Sequence, residues 1–138
     1  METKIKHLEF IQDTITRMNQ NSFQIKGWMI TIVSALLALY ANSENEIFVL
    51  VSIIPTILFW FLDAYYLQQE RKFRGIYNDV AGLSLGKDVI KIKDFEMPLQ
   101  NYKSGKYGYI NVLFSKTILP LYSTVIAGLV VFFIILNI

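Results

Sequence analysis

The amino-acid sequence predicts a mainly α-helical, oligomeric membrane protein with three transmembrane spans and a small cytoplasmic α+β module. Two observations support this class: 54% of the 138 residues are hydrophobic, and the apolar residues fall in three long blocks. Such blocks are typical of membrane proteins. A 14% share of aromatic residues, with two tryptophans, fits anchoring at the level of the lipid headgroups.

Three segments are apolar enough to cross a bilayer, which takes roughly 20 residues. The first is Gly27 to Ala41 with its flanking apolar residues, the second runs from Ile47 to Leu67, and the third from Thr117 to Ile138. Pro55 predicts a kink in the second span, because proline lacks the N–H that continues a helix.

The placement of charge predicts the orientation of these spans. All 13 lysine and arginine residues precede the first span or lie between the second and third, and the loop 42–46 has none. The positive-inside rule then places the N-terminus in the cytoplasm and the C-terminus outside. The expected division is a cytoplasmic amphipathic helix (1–26), two transmembrane helices with a short outer loop (27–67), a cytoplasmic basic module (68–116) and a third transmembrane helix (117–138).

The N-terminal region predicts one continuous helix from about Thr3 to about Ala41, which enters the membrane as the first span. Its apolar residues recur at spacings of three and four: Leu8, Ile11, Ile15, Met18, Ile25, Met29, Ile32, Leu36 and Leu39. Only Ser22 breaks this register. His7, the one histidine, is expected to be an ordinary surface residue.

The opposite face of this helix carries a continuous row of polar and then small residues, which we call the polar stripe. Its members are Asp13, Arg17, Gln20, Gln24, Gly27, Thr31, Ser34, Ala38 and Ala41. In one interpretation the small residues allow a neighbouring helix to approach closely. In the other, the stripe lines a pore at the axis of an oligomer. The pore-lining candidates are Gln24, Thr31, Ser34 and Ala38.

Asp63 interrupts the second span. A charge at the centre of an inserted helix costs on the order of 3 kcal/mol, so such groups usually have a partner or face water. Three explanations fit this intramembrane charge: an ion pair with Lys26 or Arg71, a charged ring that favours cations at a pore mouth, or a proton relay. The ion pair is the simplest of them.

Beyond the second span, the helical pattern continues to about Gly82. The segment 89–95, VIKIKDF, alternates like a strand, Pro98 stops any helix, and Tyr109 to Phe114 predicts a short entry to the third span. This module has too little apolar mass to fold alone. We therefore expect it to fold against the protruding helices or neighbouring subunits.

The segment 68–116 has nine basic and five acidic residues, a net charge of +4. Its cations alternate with aromatic rings, as in sites for nucleotides or single-stranded nucleic acid. The same pattern also arises when basic residues only set topology and the rings lie at the membrane interface.

The residue types argue against catalysis. With one histidine and no cysteine, the chain offers no Ser-His-Asp constellation, no metal-ligand cluster and no phosphate-binding glycine loop. We expect no enzyme activity, no cofactor and no metal.

Two strings, NSFQIKGWMITIVSALLALYA (21–41) and FWFLDAYYLQQERKFRGIYNDV (59–80), resemble small bacterial membrane proteins of anti-phage defence, in particular the effectors of the Hailong system. The resemblance implies an inner-membrane channel, tetrameric, whose opening depolarises the cell in abortive infection. It also implies a partner nucleotidyltransferase whose product, an oligodeoxyadenylate strand, keeps the channel closed.

On the cytoplasmic side, such a ligand is expected to bind the residues that combine positive charge with aromatic rings. These are Arg71, Arg74, Lys103, Lys106 and Tyr107. The alternative function is a non-conducting membrane adaptor, which anchors a cytoplasmic partner or nucleic acid and needs the basic module but not Thr31 or Ser34.

Overall fold

The computed structural model describes residues 2–83, 92–93, 95–103 and 105–138, and the protein is mainly helical. The helices are α1 (Glu2–Ser43), α2 (Ile47–Val51), α3 (Ile53–Ala81), α4 (Tyr109–Leu113) and α5 (Leu119–Leu136), with short 3-10 turns at Leu99–Asn101 and Gly105–Tyr107. Three stretches are long and apolar enough to cross a membrane: α1, the α2–α3 pair and α5.

Helix α1 confirms the prediction of one long N-terminal helix. Its 42 residues rise roughly 63 Å at 1.5 Å per residue. Because the hydrocarbon core of a bilayer is only about 30 Å thick, a large part of α1 extends beyond it. The helix ends where Glu44 adopts a positive φ of 56° and its N–H donates to the Tyr40 carbonyl.

The buried face of α1 follows a different register from the predicted one in its C-terminal half. Val33 is buried and Leu37 and Tyr40 pack against the core, whereas Ile32 and Leu39 are exposed. A straight helix has 3.6 residues per turn, so a repeat of 3.5 drifts by about 20° in each heptad. The face that α1 buries over four heptads therefore moves away from the predicted positions.

The second span is interrupted at Ser52, between α2 and α3. Pro55 lies three residues later, and its ring and missing N–H disturb the carbonyl of Val51, four residues before it. The Ser52 hydroxyl donates to the Phe48 carbonyl, and the Thr56 hydroxyl donates to the Ser52 carbonyl. A one-residue break in the helix therefore lies at Ser52, three residues before the proline where the kink was predicted.

The buried residues form two separate cores. The first, which we call the apolar bundle, joins the C-terminal half of α1 to α2, the N-terminal half of α3, α4 and α5. Its buried members are Met29, Val33, Val49, Ala64, Leu67, Val112, Leu113, Ile118, Tyr122 and Leu129.

The second core lies in the polar unit, formed by the N-terminal half of α1, residues 68–81 of α3 and residues 92–107. Its buried members are Ile11, Ile15, Phe73, Ile76 and Tyr102. The segment after α3 therefore folds against the two protruding helices, as expected. The predicted strand over 89–95 lies mostly outside the described residues, and residues 92, 93 and 95 are not in a strand.

Helix α3 ends as the sequence indicates. Gly82 adopts the left-handed conformation at φ 74°, and the Leu83 N–H donates to the Asn78 carbonyl at 2.8 Å. Glycine is favoured at this position because it has no Cβ to clash in the left-handed region.

Gly75 lets two tyrosine rings lie directly on the backbone of α3. A Cβ added at Gly75 would be 2.5 Å from the Tyr107 hydroxyl and 2.9 Å from the ring of Tyr102. We expect Gly75→Ala to lower the free energy of unfolding by about 1–3 kcal/mol, because both rings must move. Thermal unfolding in detergent, followed by circular dichroism, measures the change.

Gly27→Ala is the matched control, since nothing lies within 4 Å of a Cβ added there. This change inside an exposed helix should stabilise the protein by roughly 0.5–1 kcal/mol. Equal effects of the two variants would contradict the close packing at Gly75.

Candidate functional site: a buried carboxylate and a basic depression

Asp63 is fully buried at the point where three helices meet. The Ser22 hydroxyl of α1 donates to its Oδ1, and the Tyr122 hydroxyl of α5 donates to its Oδ2 at 2.8 Å. Lys26 Nζ lies 2.6 Å from Oδ2 and also donates to the Ser22 hydroxyl at 2.8 Å. One carboxylate of α3 therefore connects α1 and α5.

This geometry favours the ion-pair interpretation of Asp63. The partner is Lys26, whereas Arg71 donates to the Lys106 carbonyl at 3.0 Å. A buried carboxylate is tolerable when a cation and hydrogen-bond donors satisfy its oxygens, and here both oxygens have donors. Asp63 thus faces the interior of the helix bundle in the single chain.

Two members of this network were not identified from the sequence. Ser22 looked like a break in the apolar register, yet it is buried and bonded to Asp63. Its polar side chain at a core position was the available signal. Tyr122 gave no comparable signal in the sequence, because an aromatic residue near the start of a span also fits the membrane interface. Its ring stacks on Trp60 with centroids 6.4 Å apart.

The second feature is a depression lined by three cations, Arg71, Arg74 and Lys106. All three were among the predicted ligand-binding residues. Tyr107 follows directly, with Lys106 Nζ 5.3 Å from its ring centroid. Lys103 is exposed on the segment between the two 3-10 turns and does not line this depression.

Hydrogen bonds from α3 hold the wall of the basic depression in place. Gln68 Nε2 donates to the Tyr107 carbonyl at 2.8 Å, and Arg71 donates to the Lys106 carbonyl at 3.0 Å. Arg74 donates to one oxygen of Glu70 through two nitrogens, at 2.9 and 3.0 Å. A guanidinium has five N–H donors, so each arginine retains donors for an anion.

Tyr102 packs against Tyr107, which follows the depression residue Lys106. Its hydroxyl donates to Asp79 at 2.5 Å, and its ring meets Tyr107 edge-to-face at 5.3 Å. Burial, followed by the bond to Asp79, raises the pKa of Tyr102 well above its usual value. The phenol therefore stays protonated and keeps donating at physiological pH.

The polar stripe is exposed along its whole length in the single chain, from Asp13 to Ala41. The predicted pore-lining residues, Gln24, Thr31, Ser34 and Ala38, are all on this exposed face. The Thr31 hydroxyl donates to the Gly27 carbonyl at 2.8 Å. No other helix of the described chain covers the stripe, so close packing within one subunit does not explain its small residues.

The expectation for His7 was wrong. His7 is only 1% exposed, its Nε2–H donates to the Glu96 carbonyl at 2.9 Å, and its ring lies 5.7 Å from that of Phe95. The segment around Glu96 folds back onto the start of α1, 89 residues earlier. A contact between such distant positions leaves no local pattern in the sequence.

The two features differ in what they can do chemically. The Asp63 network is fully paired and serves to join helices. The basic depression offers clustered, partly exposed guanidinium and ammonium donors, which suit phosphate groups. Comparison with protein-family models, with curated proteins and with solved structures finds no match.

Proposed function

We propose that this protein is the subunit of a ligand-controlled, homo-oligomeric channel in a bacterial inner membrane, acting as an anti-phage effector. The observation that carries the proposal is the polar stripe, which is exposed through the membrane-spanning part of α1. Hydroxyl and amide groups that face lipid are unfavourable, and groups such as Ser34 and Gln24 are more stable around a water-filled path.

A single chain with three spanning helices is too small to enclose a hydrated path. Several copies are needed, arranged symmetrically with their α1 helices around one axis. The resemblance to Hailong effectors supports a tetramer as the form of this oligomer. In this arrangement Gln24, Thr31, Ser34 and Ala38 line the pore, and opening it depolarises the cell.

The basic depression is the proposed ligand site. The positive-inside rule puts the polar unit in the cytoplasm, where a nucleotidyltransferase product is available. Arg71, Arg74 and Lys106 bind phosphates, and Tyr107 offers a ring on which a base can stack. The proposed ligand is a nucleotide or single-stranded oligonucleotide, with oligodeoxyadenylate holding the channel closed.

The alternative is a non-conducting adaptor that holds a cytoplasmic partner or nucleic acid at the membrane. The basic depression favours it, because Arg71, Arg74 and Lys106 belong to one subunit and need no pore. The two functions differ in whether they need the polar stripe.

Leucine substitutions in the polar stripe separate the two functions. In proteoliposomes loaded with a potential-sensitive dye, Thr31→Leu/Ser34→Leu is expected to lower ion flux by more than about tenfold, equivalent to about 1.4 kcal/mol of added barrier. The reason is that leucine removes the hydroxyls and narrows the path.

Ser123→Leu/Thr124→Leu is the matched control, because it makes the same chemical change on an exposed face of α5. The control is expected to conduct like the natural protein. If the natural protein itself carries no current with or without an oligodeoxyadenylate strand, the channel proposal fails and the adaptor is favoured.

A further inference from the structure

Helix α4 joins the polar unit to α5, and large apolar side chains are exposed in it and directly after it. Ile110 and Phe114 are 65% and 55% exposed and, four residues apart, lie on one face of the turn. Val112 and Leu113, on the other face, are buried against the apolar bundle. This short helix therefore has a buried apolar side and an exposed side that carries Ile110 beside the polar Asn111.

Two hydrogen bonds between α3 and α4 set the position of α4. Trp60 Nε1–H donates to the Leu113 carbonyl at 3.0 Å, and the Tyr109 hydroxyl donates to the Phe61 carbonyl at 2.7 Å. Trp60 and Phe61 precede Arg71 by ten or more residues, roughly 15 Å along the helix axis. Helix α4 thus extends from the 3-10 turn that carries Lys106 to the spanning part of α3.

Three aromatic rings of α3 and the end of α4 contact one another. Phe114 meets Trp60 edge-to-face at 6.0 Å, Trp60 stacks on Phe61 at 6.1 Å, and Phe61 is 43% exposed. Lys116, which is exposed, follows two residues after Phe114. An apolar patch with an indole and a nearby cation has the chemistry of the boundary between acyl chains and anionic headgroups.

We propose that α4 is an interfacial helix that inserts Ile110 and Phe114 into the phospholipid bilayer on the side of the polar unit, with Lys116 at the headgroup phosphates. Continuity with the spans favours lipid over a second copy of the chain. Helix α4 packs on α3, whereas the proposed subunit contacts use the exposed face of α1. The insertion sets the depth of α3 and thereby the distance of the basic depression from the membrane. This inference rests on the proposed membrane location of the protein and does not depend on whether the protein conducts ions.

Spin labelling tests the insertion without background, because the chain has no cysteine. A nitroxide is attached to Ile110→Cys or Phe114→Cys in vesicles that contain anionic phospholipid. Collisions with oxygen, which partitions into lipid, and with a water-soluble nickel chelate are then measured by power saturation. We expect both labels to lie about 5–10 Å below the headgroup boundary, with nickel collisions several-fold weaker than at an exposed polar-unit position.

Asn101→Cys and Val131→Cys are the reference positions, exposed in the polar unit and in α5 respectively. Nickel accessibility at position 110 equal to that at Asn101 would overturn the insertion, and exclusion of both reagents would show a protein contact instead. Ile110 decides the outcome if a label at Phe114 disturbs Trp60. A correct depth in a protein that carries no current would leave the insertion standing and reject only the channel.

Discussion

Replacing Lys26 with methionine is expected to lower the free energy of unfolding by about 3–5 kcal/mol, the usual effect of removing one partner from a buried ion pair. The reason is that Asp63 is fully buried and would lose the only cation within 4 Å among the described residues. Methionine is one atom shorter than lysine but keeps an unbranched apolar stem, so packing changes little. Titration from a mild detergent into a denaturing one, followed by circular dichroism, gives the free energy.

Lys4→Met is the control for the loss of a lysine from α1. Lys4 is exposed and, in the described structure, forms no ion pair. The free energy of unfolding should therefore change by no more than about 0.5 kcal/mol. If Lys26→Met lowers the free energy of unfolding no more than Lys4→Met does, the result would contradict a charged network that holds the helices together.

The double variant Asp63→Asn/Lys26→Met tests the electrostatic origin of the effect. An asparagine oxygen still accepts a hydrogen bond from Ser22 or Tyr122, but it leaves no buried charge. The double variant should therefore be more stable than Lys26→Met alone. With Asp63→Asn completing the double-mutant cycle, the interaction energy should be about 1–3 kcal/mol. A double variant that is less stable than the single one would point to packing instead.

Removing the three cations of the basic depression is expected to have the second largest effect. Arg71→Gln/Arg74→Gln/Lys106→Gln should weaken binding of a fluorescent single-stranded oligodeoxyadenylate by about 100- to 1000-fold. Each charge-assisted hydrogen bond contributes about 1.5 kcal/mol or more, which is roughly a factor of ten. Fluorescence anisotropy in detergent measures the affinity.

Salt dependence shows whether the lost contacts are to phosphate. The slope of log affinity against log salt is negative, and its magnitude should become smaller by about 2, because each neutralised phosphate of a single strand contributes about 0.7. Lys4→Gln/Lys6→Gln/Lys93→Gln changes the net charge equally at exposed positions elsewhere. If this control weakens binding as much, the ligand responds to overall charge and the depression is not its site.

Local patterns predicted much of the architecture. The length of α1 follows from apolar spacing without proline, and Gly82 marks the end of α3, as the structure confirms. Arg71, Arg74 and Lys106 were selected by charge and nearby rings. They line one depression because residues three apart share a helix face and the segment that carries Lys106 folds back beside them. The register of α1 beyond Met29 was predicted wrongly, because sequence spacing does not show whether a helix is straight or supercoiled.

The sequence by itself determined that three stretches can cross a membrane, that α1 is one long helix and that it carries the polar stripe. These properties depend on transfer free energy and helical periodicity, which act over a few neighbouring residues. Only the tertiary structure decided that Asp63 bonds Ser22, Lys26 and Tyr122, the last 59 residues away, and that His7 is buried under the segment at Glu96. Such pairs form because buried polar groups must find donors and acceptors wherever the packed helices place them, and that requirement leaves no periodic signal along the chain.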